Sequence, residues 1–434
     1  MESILLYHCR ALLMDEENTL LDPAYVVVEG ERIAAVSSTR PQGPFAQEID
    51  CGGNVLMPGL VNAHTHIPMT LMRGYAGGCD LHTWLNDWIF PAEAKLDDRA
   101  VRAGADLALA ELIASGVTTI ADMYMHTTHI AQAVLEAGIS ANLSCGGVYF
   151  GAPGDFSPAT CPDCDHQRQL TEEFHEAGNG QILVDASIHG EYTSNVPLWQ
   201  WMADYAQRKG LGMHVHVSET QSEHEGSLTR WGLTPFRILD RYGVWDTRAI
   251  AAHCVWTTED DWAGMAEKGV ACVHNPVSNL KLGSGVAPIP AMMRAGVNVA
   301  LGTDGMSSHN SADLFSDIKL AAVLHNGVER DPMAVNAWAA LEMATVNGAR
   351  ALGRDTGVIA PGKTADLILV DLSAPNLIPC HDPVEDLVFS AHGSNVEMNM
   401  ARGQVIYEKG SFLTLDLERV RWEVEHYALP LIFG

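Results

Sequence analysis

Positive charge is scarce in this chain. Its 434 residues carry 26 Lys and Arg against 54 Asp and Glu, a formal net charge of −28. Phosphate backbones and anionic bilayers are held by clustered Lys and Arg, so neither nucleic acid nor a membrane surface is an expected partner. No apolar run approaches the roughly 18 residues that a spanning helix requires, so no transmembrane segment is expected. The opening Met1-Glu-Ser-Ile-Leu-Leu-Tyr-His-Cys-Arg10 lacks the basic-then-apolar layout of a secretory signal. Cysteine is present nine times, an odd number without framework spacing. That usage suits a reducing compartment, and the cytoplasm is the expected location. Internal repeats and low-complexity tracts are missing as well. With 47% hydrophobic residues, the composition is that of a globular protein large enough for a substantial core and a smaller companion domain.

Both ends read as β. Ser3–Met14, Tyr25–Ser38, Ala365–Leu372 and Val396–Lys409 are rich in Val, Ile, Leu and Tyr, with turn residues at Gly30 and Gly403. Segments so short cannot each bury a core, so the two ends are expected to pair as a small β-sandwich from 1–57 and 362–434. Between them, 58–361 alternates apolar strands with helical stretches. The strands are Val55–His66, Val117–Tyr124, Ile139–Gly146, Ile182–Tyr192, Gly212–Glu219, Arg248–Cys254, Val270–Pro276 and Asn298–Gly305. Arg99–Ala114, Leu198–Lys209, Thr258–Lys268 and Leu314–Val328 are amphipathic helix candidates. Eight strands alternating with helices over about 300 residues predict an α/β protein with a (β/α)8 TIM-like barrel. Polar residues fall at the strand ends: His64, His66, His189, His216, Glu219, His253, His274 and Asp304. Active sites of such barrels lie on that face.

The richest stretch is Leu56-Met-Pro-Gly-Leu-Val-Asn-Ala-His64-Thr-His66. Side chains two apart on a strand point the same way, so His64 and His66 converge as two imidazole ligands of one ion must. Met213-His214-Val-His216-Val-Ser-Glu219 repeats the pattern. One of its histidines can complete a three-imidazole set while Glu219 stays free for proton work; spacing does not choose between His214 and His216. His253 ends an apolar strand, a candidate to polarise a metal-bound water. Asp304 also ends a buried strand, where a carboxylate is costly unless paired or bound to a cation. It can both ligate the metal and accept a proton from water.

In residue type and placement these elements resemble the amidohydrolase superfamily, along nearly the whole chain and including Gly357–Asp371. No lysine ends the fourth strand, which speaks for one divalent metal ion per subunit, Zn²⁺ first and Fe²⁺ or Mn²⁺ next. Asn62–Tyr75, Trp84–Leu96 and His274–Leu282 are similar to the 5-methylthioadenosine/S-adenosylhomocysteine deaminase family. The resemblance implies His64, His66, His216 and Asp304 as metal ligands and Glu219 as the carboxylate that moves a proton to ring N1. It implies His253 as the group that orients the water, and it places Glu93 on the ribose hydroxyls, with His189 and Ser308 near the nucleoside. Many relatives are multimers, so a homo-oligomer is implied too. The activity expected is hydrolytic deamination of an adenine nucleoside (adenosine, 5′-deoxyadenosine or 5′-methylthioadenosine) to its inosine analogue and ammonia. Two departures stand out. Val148–Gln167 holds no arginine to meet the carboxylate of S-adenosylhomocysteine, and it carries Cys161-Pro-Asp-Cys164, read as part of a lid loop. His309 stands where the family has asparagine, a change that either alters the pocket rim or has no effect there. The alternatives within the superfamily are a guanine- or pterin-type deaminase and a triazine hydrolase.

Overall fold

A computed structural model describes residues 3–434; Met1 and Glu2, the start of the N-terminal reading above, lie outside the described residues. Strands from both chain ends form one nine-stranded sheet. The ends meet where Val55–Pro58 runs antiparallel to Leu367–Val370, with Leu56 opposite Leu369 and Pro58 opposite Leu367. Leu6, Val26, Leu56, Leu367, Met398 and Met400 pack together there, all buried. Fully burying one such side chain contributes about 1.5–3 kcal/mol, so the two ends hold each other.

Val55–His66 is not one strand. It divides at Gly59 into Val55–Pro58, which joins the end sheet, and Leu60–His66, which joins the middle of the protein. The glycine is required by close approach: a Cβ there would fall 2.3 Å from the Thr118 side chain.

The middle consists of two five-stranded sheets whose neighbouring strands run parallel. One contains Leu60–His66, Val117–Met123, Ser140–Ser144 and Ile182–Val184, with Asp304–Gly305 on its other edge. The second contains Ala186–Gly190, Met213–Val217, Ala249–His253, Ala271–His274 and Val299–Leu301. The chain links the two sheets directly, through Asp185 and through Gly302-Thr303. Gly302 is another close approach, since a Cβ would meet the His64 carbonyl oxygen at 2.8 Å.

Helices follow the strands. Asp98–Ala114 begins on the Asp97 carboxylate, which accepts the Ala100 N–H, and buries Val101, Leu109, Leu112 and Ile113. Val196–Lys209, Glu259–Lys268 and Leu314–Glu329 lie close to their sequence expectations. Beyond residue 362 the chain also carries helices Leu417–Glu423 and Leu429–Phe433, the first packed on Asp98–Ala114. Among the described residues no helix is long and apolar enough to cross a membrane.

Candidate metal and nucleoside site

Parallel strands present their C-terminal ends on one side, and there the predicted residues meet. His64 and His66 end Leu60–His66, His216 lies on Met213–Val217, His253 ends Ala249–His253, and Asp304 opens the short strand after Gly302-Thr303. His253 and Asp304 take left-handed backbone conformations, φ +73° and +61°, which turn the chain sharply at the strand ends.

Each imidazole is oriented from behind. The His66 Nδ1–H donates to the Met123 carbonyl, and the His216 Nδ1–H donates to the His189 carbonyl at 2.6 Å. A carbonyl only accepts, so Nδ1 carries the proton in both rings and Nε2 keeps its lone pair. His64 Nδ1 lies 2.7 Å from His214 Nε2, and His214 Nδ1 lies 3.4 Å from the Ser144 hydroxyl. The three Nε2 atoms face one another. His66 Nε2 is 3.3 Å from His216 Nε2 and 3.2 Å from Asp304 Oδ1, while His64 Nε2 is 3.5 Å from the same oxygen. Two donors each about 2.1 Å from one tetrahedral ion lie roughly 3.4 Å apart. The observed spacings are therefore those of a ligand shell, and the buried His64 Nε2 has no hydrogen-bond partner in the protein. The donor set fits a divalent cation.

Electrostatics agree. Burial opposes charge on Asp304, yet His64 and His66 hold it well below the usual carboxylate range. Burial lowers His64 to about 3; it works the same way on His66, but the Asp304 carboxylate overrides it and lifts that ring to about 9. Ser278 and Ser308 hydroxyls donate to Asp304 Oδ2 at 2.6 and 3.0 Å and leave Oδ1 to the histidines.

Beside this cluster opens a cavity of about 420 Å³ whose wall includes His66, Glu93, His189, His216, Glu219, His253 and Asp304. Burial raises the Glu219 pKa, with the His253 charge opposing. The Glu219 carboxylate stands 3.8 Å from His253 Nε2, whose other nitrogen makes its shorter contact, 2.8 Å, with the Asn279 side-chain oxygen Oδ1. Glu93 is raised by burial as well, and accepts the Tyr124 hydroxyl at 2.6 Å. Burial lowers His189 to about 4, so its ring is neutral at ordinary pH.

Several expected positions lie elsewhere. Ser308 is buried behind Asp304 and is not part of the cavity wall. Of the two alternatives for His309, the structure gives the one without a rim effect: it is buried against Asp317, with Nε2 to Oδ2 at 2.7 Å. His274 pairs with His325 at 3.0 Å and does not reach the cluster. Cys161 and Cys164 are free and buried; Cys161 precedes the helix Pro162–Phe174 and Cys164 lies within it. Residues that sequence reasoning left without a role are Tyr124, Ser278 and Asn279. The last two sit inside His274–Leu282, the segment that carried the resemblance, which was the available signal.

Along nearly its whole length the chain is similar to known proteins. Residues 55–406 match the amidohydrolase family. A 5-methylthioadenosine/S-adenosylhomocysteine deaminase of Dictyoglomus thermophilum is 40% identical over 97% of this chain and 99% of its own. A 5′-deoxyadenosine deaminase of Methanosarcina acetivorans is 38% identical over 100% of this chain and 99% of its own. Among solved structures, an adenosine deaminase from Xanthomonas campestris with bound zinc superimposes with a TM-score of 0.92 at 32% identity, over 99% of this chain and 98% of that one. An atrazine chlorohydrolase from Arthrobacter aurescens complexed with zinc gives 0.89 at 26% identity, over 99% and 100%.

Proposed function

The chain belongs to the amidohydrolase family, and from that premise we propose that it is a metal-dependent hydrolytic deaminase of adenine nucleosides, releasing ammonia and the inosine analogue. The observation that carries the reading is the convergence of His64 and His66 Nε2 on Asp304 Oδ1, at 3.5 and 3.2 Å, with His216 Nε2 3.3 Å from His66 Nε2, beside a cavity that also holds Glu219 and Glu93. The relatives' activities, at about 40% identity along nearly the whole chain, point to the same reaction. The fold proposed with it is a closed (β/α)8 barrel, 58–361, supported by the direct chain links at Asp185 and Gly302-Thr303, with 1–57 and 362–434 as a companion domain built on the one nine-stranded sheet rather than on the two sheets a sandwich needs.

His64, His66, His216 and Asp304 would hold one divalent ion, Zn²⁺ by analogy with the solved neighbours. When bound, the ion supplies Lewis acidity that brings the pKa of water toward neutrality. The remaining steps belong to the chain. Glu219, kept protonated by burial to a higher pH than an ordinary glutamate, gives a proton to N1 of the purine, which makes C6 electrophilic. His253 turns its Nε2 lone pair to the attacking water, because Asn279 holds Nδ1–H. Asp304 Oδ1 takes the water's proton and returns it to the departing amine, and the C6 hydroxyl gives its proton back to Glu219 as the C6 carbonyl forms and ammonia leaves. Glu93 accepts from the ribose hydroxyls, with Tyr124 fixing its carboxylate, and neutral His189 meets the purine edge. All nine cysteines are free, which supports a reducing, cytoplasmic setting.

The test is ammonia release from adenosine, 5′-deoxyadenosine, 5′-methylthioadenosine, S-adenosylhomocysteine, guanine and a chlorotriazine by the metal-loaded protein. Adenine nucleosides with a neutral 5′ group are expected to lead. A win for guanine or the triazine overturns the substrate class.

A further inference from the structure

Glu219 is given the central proton transfer, and its side chain has little to hold it. It lines the cavity, and His253 Nε2, 3.8 Å away, is beyond hydrogen-bond reach. Its direction is therefore set by the backbone that carries it. That backbone is the turn Val217-Ser218-Glu219, between the strand Met213–Val217 and the helix Gln221–Trp231. Ser218 takes a left-handed conformation there, φ +48°, which a residue with a side chain keeps only where its surroundings impose it.

Glu223 imposes it. One of its carboxylate oxygens accepts the Ser218 N–H at 2.8 Å, and the other accepts the Glu219 N–H at 2.7 Å. The side chain is 6% exposed, so both bonds are made away from water, where they are stronger. Thr220-x-x-Glu223 has the sequence of a helix capping box, in which the glutamate would turn back to the Thr220 N–H. Thr220 does its half, its hydroxyl accepting the Glu223 N–H at 3.2 Å. The Glu223 carboxylate instead passes Thr220 and takes the two N–H groups before it. The other groups of the turn are fixed from elsewhere. Cys254 N–H donates to the Val217 carbonyl at 3.0 Å, Trp256 N–H donates to the Ser218 carbonyl at 2.9 Å, and the Ser218 hydroxyl meets His224 Nδ1 at 3.1 Å. The far end of the same helix is tied down as well, by Arg230 and Trp231 donating to the buried Glu191 carboxylate. Burial and the nearby Glu219 charge push Glu223 up to about 8, while its two N–H bonds pull it down. A buried acid beside Glu219, kept at that electrostatic cost, is a poor device for stability alone.

Resting on the deaminase reading, we propose that Glu223 is a positioning residue for Glu219: by clamping the Ser218 and Glu219 N–H groups it aims the Glu219 carboxyl at the purine N1. It touches neither the substrate nor the metal ligands in this role and acts only through Glu219.

Turnover of 5′-deoxyadenosine by the metal-loaded full-length protein tests this in Glu223→Gln, Glu219→Gln and the double variant. The amide at position 223 accepts one N–H and turns its own donors to the other, which releases one side of the clamp. kcat should fall about 10- to 100-fold with KM held within about twofold, because a displacement of about 1 Å at a reacting group costs on that order. In the Glu219→Gln background the second change should cost about twofold or less, since the group it positions is already gone. Where the glutamine variant does not fold, Glu223→Asp, which keeps the charge and shortens the reach, should show the same split. Hydrogen–deuterium exchange at the Ser218 and Glu219 amides should speed up in either variant and reads the clamp without turnover. An unchanged kcat, a loss carried by KM, or an equal loss in both backgrounds overturns the positioning role and leaves the deaminase reading intact. Faster exchange at those two amides, with no ammonia from any adenine nucleoside even for the unaltered protein, overturns the deaminase reading and keeps the clamp.

Discussion

His214 Nε2 stands 2.7 Å behind His64 Nδ1, so the first histidine of the second pair supports a ligand of the first pair. With Ser144 beyond it, the arrangement is a relay that holds the His64 Nε2 lone pair toward the proposed ion.

His214→Phe should therefore weaken metal binding by about 10- to 100-fold while leaving all four proposed ligands in place. Competition against a chelator of known affinity measures it. Unchanged affinity would show that His64 is oriented without this partner.

Glu219→Gln should retain the metal and lose about 10²–10⁴ in kcat, the usual worth of one positioned acid–base group. Metal content and single-turnover ammonia release are the two readouts. A variant with near-normal turnover ends the role assigned to Glu219.

Tyr124→Phe removes the donor that anchors Glu93. Hydrogen bonds to charged groups are worth about 1.5–3 kcal/mol, which predicts a rise in KM for nucleosides of about 10- to 100-fold. Because Glu93 touches ribose and not the reacting carbon in this reading, kcat should change far less. A collapse of kcat at constant KM would contradict that placement.

His325, buried beside His274 and away from the cluster, has its pKa lowered by burial from 6.5 to about 4. The unfolded chain then binds more protons than the folded one between those values, so stability is full above pH 6.5 and is lost as pH falls toward 4. The contribution amounts to up to about 3 kcal/mol. His325→Gln should flatten that acid limb in denaturant titrations across the window. Identical limbs in the two proteins would refute the assignment.

Much of the site was legible beforehand because strand parity is local. Side chains alternate regardless of context, so the pairs at 64 and 66 and at 214 and 216 had to share a face. The order of apolar strands and helices was legible for the same reason: burial on a sheet demands continuous apolar runs, and the strands from Leu60 to Gly305 fall within the expected segments, whereas Leu20–Glu29 begins before the expected Tyr25 and Gln47–Asp50 was not expected. The split at Gly59 was not, since it depends on Thr118 coming within 2.3 Å of a would-be Cβ from a distant strand.

Parity and composition alone made this an α/β chain with paired histidines, an aspartate and a glutamate at strand ends. Depth was decided only by the fold. Two residues along a strand span about 6.6 Å, and the parallel register that sets His214 opposite Ile250 and His216 opposite Ala252 determines which imidazole reaches the mouth and which lies beneath it. The same holds for side chains drawn aside by distant partners, as His309 is by Asp317, Ser308 by Asp304 and His274 by His325. Such pairings are set by which helix packs over which strand, and no local pattern encodes that.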